Sequence, residues 1–323
     1  MRRVLIVVDV YGWAWDYMAQ GIASGSPDDV AVTILDQNDF NSLATRMPWA
    51  LKSFDGISQC SWPESLTNLP DVRKTVWLAS HGFDFPWPPI EDAYPALIAT
   101  PNRNTASAAR ILPRFDKVLC VSHRLKDSLD SVKWSDGRAV RVCPGIDHKT
   151  FRQFPLPNRD KLIIGWCGQR AGVTKGFHTA LKSLQKELGD LAEWQVNCRS
   201  AADPLSRDEM VAWYRGLDLF ISTSSSEGFQ MPLLEAASCG RPILATDVGA
   251  AKELIVEDDN GFLITPYQFR HDVDRTVSEF VQHIRRYHKD RGMLKRHAEQ
   301  SRKIVEQGFT WERHAPRWLE TML

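Results

Sequence analysis

Short apolar runs alternate with polar, helix-like stretches along the chain, and this alternation predicts an α/β protein built on parallel sheets. Uninterrupted apolar runs of this length are typical of strands that are buried on both faces. In the first half the runs lie at residues 3–10, 30–35, 75–80, 117–121 and 139–143, and helices are predicted at 16–23 and 123–131. This half therefore has the pattern of a Rossmann-like domain.

The same pattern starts again after Pro144-Gly145 and a proline-rich connector at residues 154–158. Because proline and glycine interrupt regular elements, we place a domain boundary in this region. Runs at 162–167, 194–198, 218–222 and 242–246 predict strands, and the patterns at 177–188 and 231–240 predict helices. Residues 272–307 predict a polar helical region broken near Gly292, and the apolar positions between 309 and 322 predict an amphipathic terminal helix.

Two acids, Glu227 and Glu235, define both a local geometry and a chemistry. Glu227 lies in the loop after the predicted strand at 218–222, and Glu235 lies in the helix that follows, with seven residues between the two. Ligands of open parallel sheets bind at the carboxyl ends of the strands, where loops and helix N-termini meet. The pair therefore predicts a ligand site at this edge, although two glutamates at this spacing also occur on solvated helices.

The residues around this pair resemble the signature of the retaining family 4 glycosyltransferases. The sequence has Glu227, then Gly228-Phe229-Gln230, then Glu235, Gly240-Arg241-Pro242-Ile243 and Asn260-Gly261-Phe262-Leu263. Further segments that are similar to this family are Val121-Ser122, Pro144-Gly145-Ile146-Asp147 and Phe309-Thr310-Trp311-Glu312. Gln230 departs from the pattern, because the family usually has a glycine at this place, and we expect its side chain to enter the sugar pocket.

The resemblance implies the GT-B fold, in which two Rossmann-like domains face a central cleft and a C-terminal helix crosses back to the first domain. We therefore assign residues 1–147 to an acceptor domain, 148–306 to a nucleotide-sugar donor domain and 307–323 to the crossing helix. The resemblance also implies a retaining hexosyl- or pentosyltransferase with a UDP- or GDP-sugar as co-substrate and no tightly bound cofactor. The expected acceptor is a surface glycan or a lipid-linked saccharide.

Arg170 and Lys175 are the second group of candidate residues. Arg170 follows the predicted strand at 162–167, and Lys175-Gly176 opens the next helix. In the family, cations at these places hold the donor diphosphate, whose terminal oxygens gain charge when the bond to the sugar breaks. Arginine, lysine and a helix N-terminus stabilise such charge. Because this arrangement can replace a divalent metal, we expect no metal ligands and a metal-independent enzyme.

The resemblance implies separate roles for the two acids. Glu227 accepts hydrogen bonds from the donor sugar and Glu235 accepts them from the nucleotide ribose, since an ionised carboxylate is an acceptor-only group. Glu227 could instead be a covalent nucleophile, as in retaining glycosidases. Glu235 also suits a helix N-terminus for electrostatic reasons alone. The candidates for donor contacts at the start of the helix are Gly228, Phe229, Gln230 and Met231.

Two further candidates come from the first half, whose first hundred residues match the family poorly. His81 follows the predicted strand at 75–80, and in similar enzymes a histidine of this domain contacts the donor sugar near the reacting carbon. Gly12 follows the first strand, where the family has a glycine-rich turn against the phosphates. A loop histidine or glycine also occurs for local structural reasons, so both interpretations stay open.

Composition limits the other partners. Lys plus Arg and Asp plus Glu each number 40, so no global field attracts nucleic acid or an anionic membrane. The six cysteines contain no Cys-X-X-Cys pair and no metal-ligand spacing, which indicates reduced, buried thiols. No segment has the pattern of a signal peptide or a membrane span, so we expect a cytoplasmic protein, with peripheral membrane contact left open.

Several alternatives share the fold or the ligand. A nucleotide-sugar 2-epimerase would need further acid and base residues in the cleft, and a phosphorylase would need a lysine site for pyridoxal phosphate. A non-catalytic subunit that binds sugar nucleotides is another alternative, since the first domain is short and Gly12 alone remains of the glycine-rich turn. A modified DNA base is an alternative acceptor.

Overall fold

The structure is a computed structural model, and it describes residues 1–12, 14–60, 72–78, 112–132, 136–170, 173–198, 205–267 and 273–323. The chain divides into two compact units. Unit 1 comprises Met1–Gly145 together with Thr310–Leu323, and unit 2 comprises Ile146–Phe309. His81 and the last two positions of the strand predicted at 75–80 lie outside the described residues.

Eleven strands are present in the described ranges, and all of the pairings between them are parallel. In chain order they are β1 (Arg2–Val8), β2 (Val30–Asp36), β3 (Gly56–Cys60), β4 (Arg73–Leu78), β5 (Lys117–Cys120), β6 (Ala139–Arg141), β7 (Leu162–Cys167), β8 (Ala192–Asn197), β9 (Leu219–Ser222), β10 (Ile243–Thr246) and β11 (Gly261–Ile264).

The described α-helices alternate with these strands. They are α1 (Ala14–Ser24), α2 (Gln37–Arg46), α3 (His123–Val132), α4 (Lys182–Leu188), α5 (Arg207–Arg215), α6 (Met231–Ser238), α7 (Ala251–Leu254), α8 (Val273–Lys289), α9 (Arg291–Gly308) and α10 (Trp311–Met322). No helix in the part of the chain that the structure describes combines the length and the apolar character of a membrane span.

Unit 1 is a sheet in the order β2-β1-β3-β4-β5-β6. Its strand β1, which lies between β2 and β3, is apolar from Val4 to Val8, and these side chains are at most 1% exposed. Ile6 pairs with Ile34 on one side and with Ser58 on the other. Unit 2 is a sheet in the order β11-β10-β9-β7-β8. Both units have Rossmann-like strand–helix alternation, which confirms the fold class predicted from the apolar runs.

The terminal helix α10 completes the core of unit 1. Gly21 of α1 and Gly25, just after this helix, allow its close approach. A Cβ at Gly21 would lie 2.1 Å from Trp311 Nε1, and a Cβ at Gly25 would lie 2.7 Å from Ala315 Cβ. Trp318 is fully buried, and its ring lies edge-on to Trp77 with 4.8 Å between centroids. The amphipathic terminal helix predicted from the sequence therefore packs on the first unit.

Unit 2 has its core on the two faces of its sheet, with α8 covering one of them. The buried residues Val277, Phe280, Ile284 and Tyr287 form one face of α8, as expected from their helical spacing. The long polar helical region is interrupted at Asp290, whose side chain accepts a hydrogen bond from Met293 N at 2.8 Å and so caps α9. The break predicted near Gly292 is thus two residues earlier.

Arg241 is a buried cation at the edge of this core. Its side chain is fully buried, and it donates to Leu217 O and Phe154 O, both at 2.7 Å. Desolvation lowers the pKa of Arg241 to about 10. Through these two hydrogen bonds the guanidinium links the connector at Phe154 to Leu217, which lies two residues before the start of β9.

The cysteines are free thiols, of which Cys60, Cys120 and Cys239 are buried. Burial raises the pKa of Cys120 and of Cys239 to about 12. These thiols stay protonated at neutral pH, and a protonated thiol is a poor nucleophile and metal ligand. The buried cysteines are accordingly small apolar core residues.

Candidate functional site

The strand order of unit 2 creates a switch point between β7 and β9. The connection from β7 leads to β8 on one side of β7, whereas β9 lies on its other side. The loops that leave β7 and β9 therefore run in opposite directions and open a crevice at the carboxyl edge of the sheet, which is the usual ligand site of such sheets. Arg170 and Lys175 follow β7, and Glu227 follows β9.

Arg170 stands at this edge with an exposed side chain. Its Nε donates to Cys198 Sγ at 3.1 Å, and its guanidinium carbon lies 5.2 Å from the centroid of the Phe177 ring. Cys198 directly follows β8, so the guanidinium is held between the ends of two neighbouring strands. This position leaves a planar cation at the rim of the crevice, a geometry suited to phosphate oxygens.

Lys175 is positioned by a chain of hydrogen bonds that begins in the core. Trp166 Nε1 donates to Thr223 Oγ1 at 3.0 Å, and Thr223 Oγ1 donates to Lys175 O at 2.9 Å. The next residue, Gly176, has φ +74°, and a Cβ there would lie 2.2 Å from Thr223 O. Only glycine fits this close approach, and the backbone of Lys175 is consequently fixed against the loop after β9.

Glu227 is the buried acid of the site. Its side chain is 7% exposed and pairs with Lys175 Nζ, while Ser224 Oγ donates to the same carboxylate oxygen at 2.7 Å. The loop after β10 supports the other side, because a Cβ at Gly249 (φ +56°) would lie 2.5 Å from Glu227 O. The cation and the hydroxyl donor compensate the cost of burying this carboxylate.

The turn after Glu227 leads directly into α6. Phe229 and Gln230 are buried, Met231 is half-buried, and Leu233 N donates to Gln230 O at 2.9 Å as the helix begins. The amide of Gln230 points to the loop after β10, with Nε2 3.5 Å from Val248 O. Its Oε1 is buried without a hydrogen-bond partner among the described residues. The Gln230 amide thus lies against the loop after β10, and its entry into a sugar pocket stays a prediction.

Glu235 lies one turn further along α6 and is half-buried. Its Oε2 accepts a hydrogen bond from the hydroxyl of Tyr214, at 2.7 Å. Tyr214 belongs to α5 and is fully buried. Sequence reasoning missed Tyr214 and Ser224. Ser224 could have been found as a hydroxyl three residues before an acid in the same loop, but no local signal points to Tyr214.

Unit 1 contributes Gly12 among the predicted site residues that are described. Gly12 follows β1 with φ +79°, and its N–H donates to Asp16 Oδ2 at 2.7 Å. The side chain of Asp16 is buried and also accepts from Gln20 Nε2 at 2.9 Å. The N–H group of Gly12, in the turn after β1, is therefore already bonded to the carboxylate of Asp16. Desolvation also raises the pKa of Asp9 at the end of β1.

The structure thus brings Lys175 and Glu227 into direct contact and places Arg170 at the same sheet edge. Glu235, Gly228, Phe229, Gln230 and Met231 belong to the turn and helix that leave this edge. Within the ranges that the structure describes, no group of three or more His, Cys, Asp or Glu side chains could hold a metal ion.

A family model described as glycosyl transferases group 1 matches residues 164–290, which include this whole site of unit 2. The chain is similar to the lipopolysaccharide core biosynthesis mannosyltransferase LpcC of Rhizobium leguminosarum bv. viciae, with 30% identity over 67% of this chain and 67% of the relative. It is also 26% identical to a D-inositol 3-phosphate glycosyltransferase of Streptomyces bingchenggensis over 49% of this chain. The chain spans about a third of that relative's length, 31%.

Among solved structures, the chain is similar to HepE of Anabaena in complex with UDP and glucose, with a TM-score of 0.70 and 16% identity. The similarity covers 99% of both chains. At this identity the likeness is one of fold, and it confirms the GT-B class for the two Rossmann-like units and the terminal helix.

Proposed function

Because the chain belongs to the glycosyl transferases group 1 family, we propose that it transfers a hexosyl or pentosyl group from a nucleotide sugar to an acceptor hydroxyl, with retention of anomeric configuration. The contact between Lys175 and Glu227 carries this proposal. It joins a cation suited to a diphosphate with an acceptor-only carboxylate suited to sugar hydroxyls. Such a pair matches a ligand in which a sugar is bonded directly to a diphosphate.

The two cations bind the diphosphate and stabilise it as a leaving group. An ammonium has three N–H donors, so Lys175 can serve Glu227 and a phosphate oxygen at once. Arg170 adds a planar set of donors at the rim of the crevice. Negative charge builds up on the phosphate oxygens as the bond to the sugar breaks, and fixed cations stabilise that state more than the bound substrate. The proposed mechanism uses these side chains in place of a divalent metal.

Glu227 accepts hydrogen bonds from the hydroxyls of the donor sugar. A carboxylate that already accepts from Lys175 and Ser224 is held in place and is a weaker nucleophile, which favours this role over a covalent one. In the proposed step the bond from the anomeric carbon to the phosphate oxygen breaks. The acceptor oxygen bonds to the same face of that carbon, and its proton passes to the departing phosphate oxygen.

The turn and the first part of α6 complete the donor site. Glu235 binds the hydroxyls of the ribose, and the backbone N–H groups of Gly228 and Phe229 donate to the donor at the helix start. Gln230 and Met231 border the sugar. Because the amide of Gln230 lies against the loop at Val248, we propose that Gln230 selects the sugar by setting the width of this turn.

Unit 1 binds the acceptor, and we assign His81 to the reacting end of the donor sugar and Gly12 to a close backbone approach. A lipid-linked or surface saccharide is the proposed acceptor, and the name of the relative LpcC, a lipopolysaccharide core mannosyltransferase, supports it. A nucleotide-sugar co-substrate and free thiols support a cytoplasmic location.

The test measures binding by calorimetry to UDP-, GDP-, ADP- and dTDP-sugars, followed by hydrolysis of the bound donor without an acceptor. We expect one or two of these donors to bind, and Lys175→Ala and Glu227→Gln each to lower turnover by about 100-fold or more. Lys182→Ala and Glu193→Gln are the matched controls, because both residues are exposed in the same unit. A wild-type protein that binds none of the four donors would overturn the proposal.

The anomeric configuration is tested separately. Once an acceptor supports transfer, proton NMR of the product reports the anomer directly. A product anomer that is the same as that of the donor sugar is expected, and the opposite anomer would refute retention. Unchanged turnover after addition of excess EDTA is the expected sign of metal independence.

A further inference from the structure

Tyr214 holds one oxygen of the Glu235 carboxylate. The hydroxyl-to-Oε2 distance is 2.7 Å, the usual length for a hydroxyl that donates to a carboxylate oxygen. The tyrosine is fully buried, whereas Glu235 is half-buried. The hydrogen bond therefore links a donor inside the core to an acceptor that solvent can still reach.

The position of the Tyr214 ring is fixed from three sides. Its centroid lies 4.9 Å from Trp213, 5.9 Å from Phe220 and 6.3 Å from Phe151, each in an edge-on arrangement. The helix that carries it starts at a capping box formed by Ser206 and Glu209. The hydroxyl thus has one place available, and it can impose that place on its partner.

A glutamate on a helix surface samples several rotamers, and each rotamer points the carboxylate in a different direction. A ribose presents two neighbouring hydroxyls, which one carboxylate can accept together only in a limited range of orientations. A donor that selects one rotamer before the ligand arrives removes that ordering cost from the binding step. Tyrosine is suited to this because it donates without adding a positive charge next to the carboxylate.

We propose that Tyr214 is a positioning residue that preorganises Glu235 for the ribose hydroxyls of the nucleotide donor. This inference rests on the proposed function, which assigns the ribose to Glu235. A buried tyrosine hydroxyl also needs a hydrogen-bond partner for stability alone. The test must therefore read out ligand selection and not only the loss of a hydrogen bond.

The experiment compares the dissociation constants of UDP and 2′,3′-dideoxy-UDP by calorimetry on the full chain, with GDP and its dideoxy form used if the wild type prefers GDP. Their ratio measures what the ribose hydroxyls contribute. We expect the wild type to bind the dideoxy nucleotide about 10- to 100-fold more weakly, as befits hydrogen bonds to a charged group. Tyr214→Phe is expected to lower this ratio by about three- to tenfold, with binding of the dideoxy nucleotide unchanged.

Tyr287→Phe is the matched control. Tyr287 is also fully buried in unit 2, and its hydroxyl lies 2.8 Å from His297 Nδ1. The same chemical change there removes a buried hydrogen bond without touching Glu235. We expect Tyr287→Phe to lower the melting temperature and to leave the ratio of the two dissociation constants at its wild-type value.

Glu235→Gln separates this inference from the proposed function. If the wild type binds the two nucleotides equally, or if Glu235→Gln keeps the wild-type ratio, the ribose role of Glu235 is wrong. If Glu235→Gln lowers the ratio but Tyr214→Phe does not, only the positioning role of Tyr214 is wrong. Should Tyr214→Phe not fold, Glu235→Asp, which draws the carboxylate away from the hydroxyl, takes its place. If the ratio of the two dissociation constants in that variant equals the wild-type ratio, the inference is overturned.

Discussion

Replacing Gly176 by alanine tests whether the close approach behind Lys175 shapes the proposed donor site. The backbone of Gly176 has φ +74°, and an added Cβ would lie 2.2 Å from Thr223 O and 2.7 Å from the hydroxyl oxygen of Tyr267. A left-handed L residue costs about 1 to 2 kcal/mol. Overpacking adds about 1 to 3 kcal/mol, since a backbone carbonyl cannot rotate away. We therefore expect unit 2 to lose about 2 to 5 kcal/mol of unfolding free energy.

Gly137→Ala is the control for this substitution. Gly137 also has φ +74°, but a Cβ there would meet no atom within 4 Å. This variant carries the backbone strain without the steric contact, and its expected loss is about 1 to 2 kcal/mol. Urea unfolding followed by circular dichroism measures both variants, with the transitions of the two units fitted separately.

The same substitution has a functional readout. Relief of the contact must move the backbone of Lys175 away from the loop after β9, and with it the ammonium beside Glu227. Displacements near 1 Å can cost about 100-fold in rate, so we expect donor turnover to fall by at least about tenfold in Gly176→Ala. Gly137→Ala should keep wild-type turnover. If the two variants match each other in both stability and turnover, the reasoning about this contact is refuted.

Three further predictions concern stability. Gly21→Ala forces a Cβ against the Trp311 indole and should destabilise unit 1 by about 1 to 3 kcal/mol. In Gly308→Ala the added Cβ meets no atom within 4 Å, so this variant should stabilise unit 2 by about 0.5 to 1 kcal/mol. Changes of unfolding free energy with the same sign in both variants, measured by urea unfolding, would contradict this. In Arg241→Lys the lysine cannot reach both carbonyl partners of the arginine, so the unfolding free energy should fall by about 1 to 3 kcal/mol in the same assay. A wild-type unfolding midpoint would contradict the role of the guanidinium as a bridge. Burial lowers the pKa of His297 below 6.5, so the unfolded chain binds more protons just below pH 6.5 and stability falls as the pH drops through this window. His297→Gln should therefore lose less melting temperature than the wild type between pH 7.5 and 5.5, and equal losses would refute the assignment.

The fold class and the family could be predicted because apolar runs and an ordered motif are local properties of the sequence. Strand β3 was missed, since Ser58 and Gln59 interrupt its apolar character although both are buried. Helix α2 was also missed, because Phe40 is its one buried residue within the described chain and leaves no apolar stripe. Burial that depends on tertiary neighbours leaves little trace in a pattern.

The sequence predicted the sheet edge at which the candidate residues lie, but not the contacts between their side chains. That Lys175 and Glu227 follow strands of one parallel sheet could be inferred, but their direct contact depends on the order of β7 and β9, which the sequence does not state. The bond from Tyr214 to Glu235 joins two helices that no motif relates. The orientation of Gln230 toward Val248 likewise depends on a loop that follows a different strand.

The two units differ in how the chain builds them. Unit 1 is assembled from two separate segments, whereas unit 2 is one continuous insertion between Gly145 and Thr310. The two ends of this insertion are adjacent, since Ile146 N donates to Phe309 O at 2.9 Å. An insertion whose ends meet can be excised without opening its own sheet, so unit 2 is better suited than unit 1 to expression as an autonomous fragment or to grafting into another host domain.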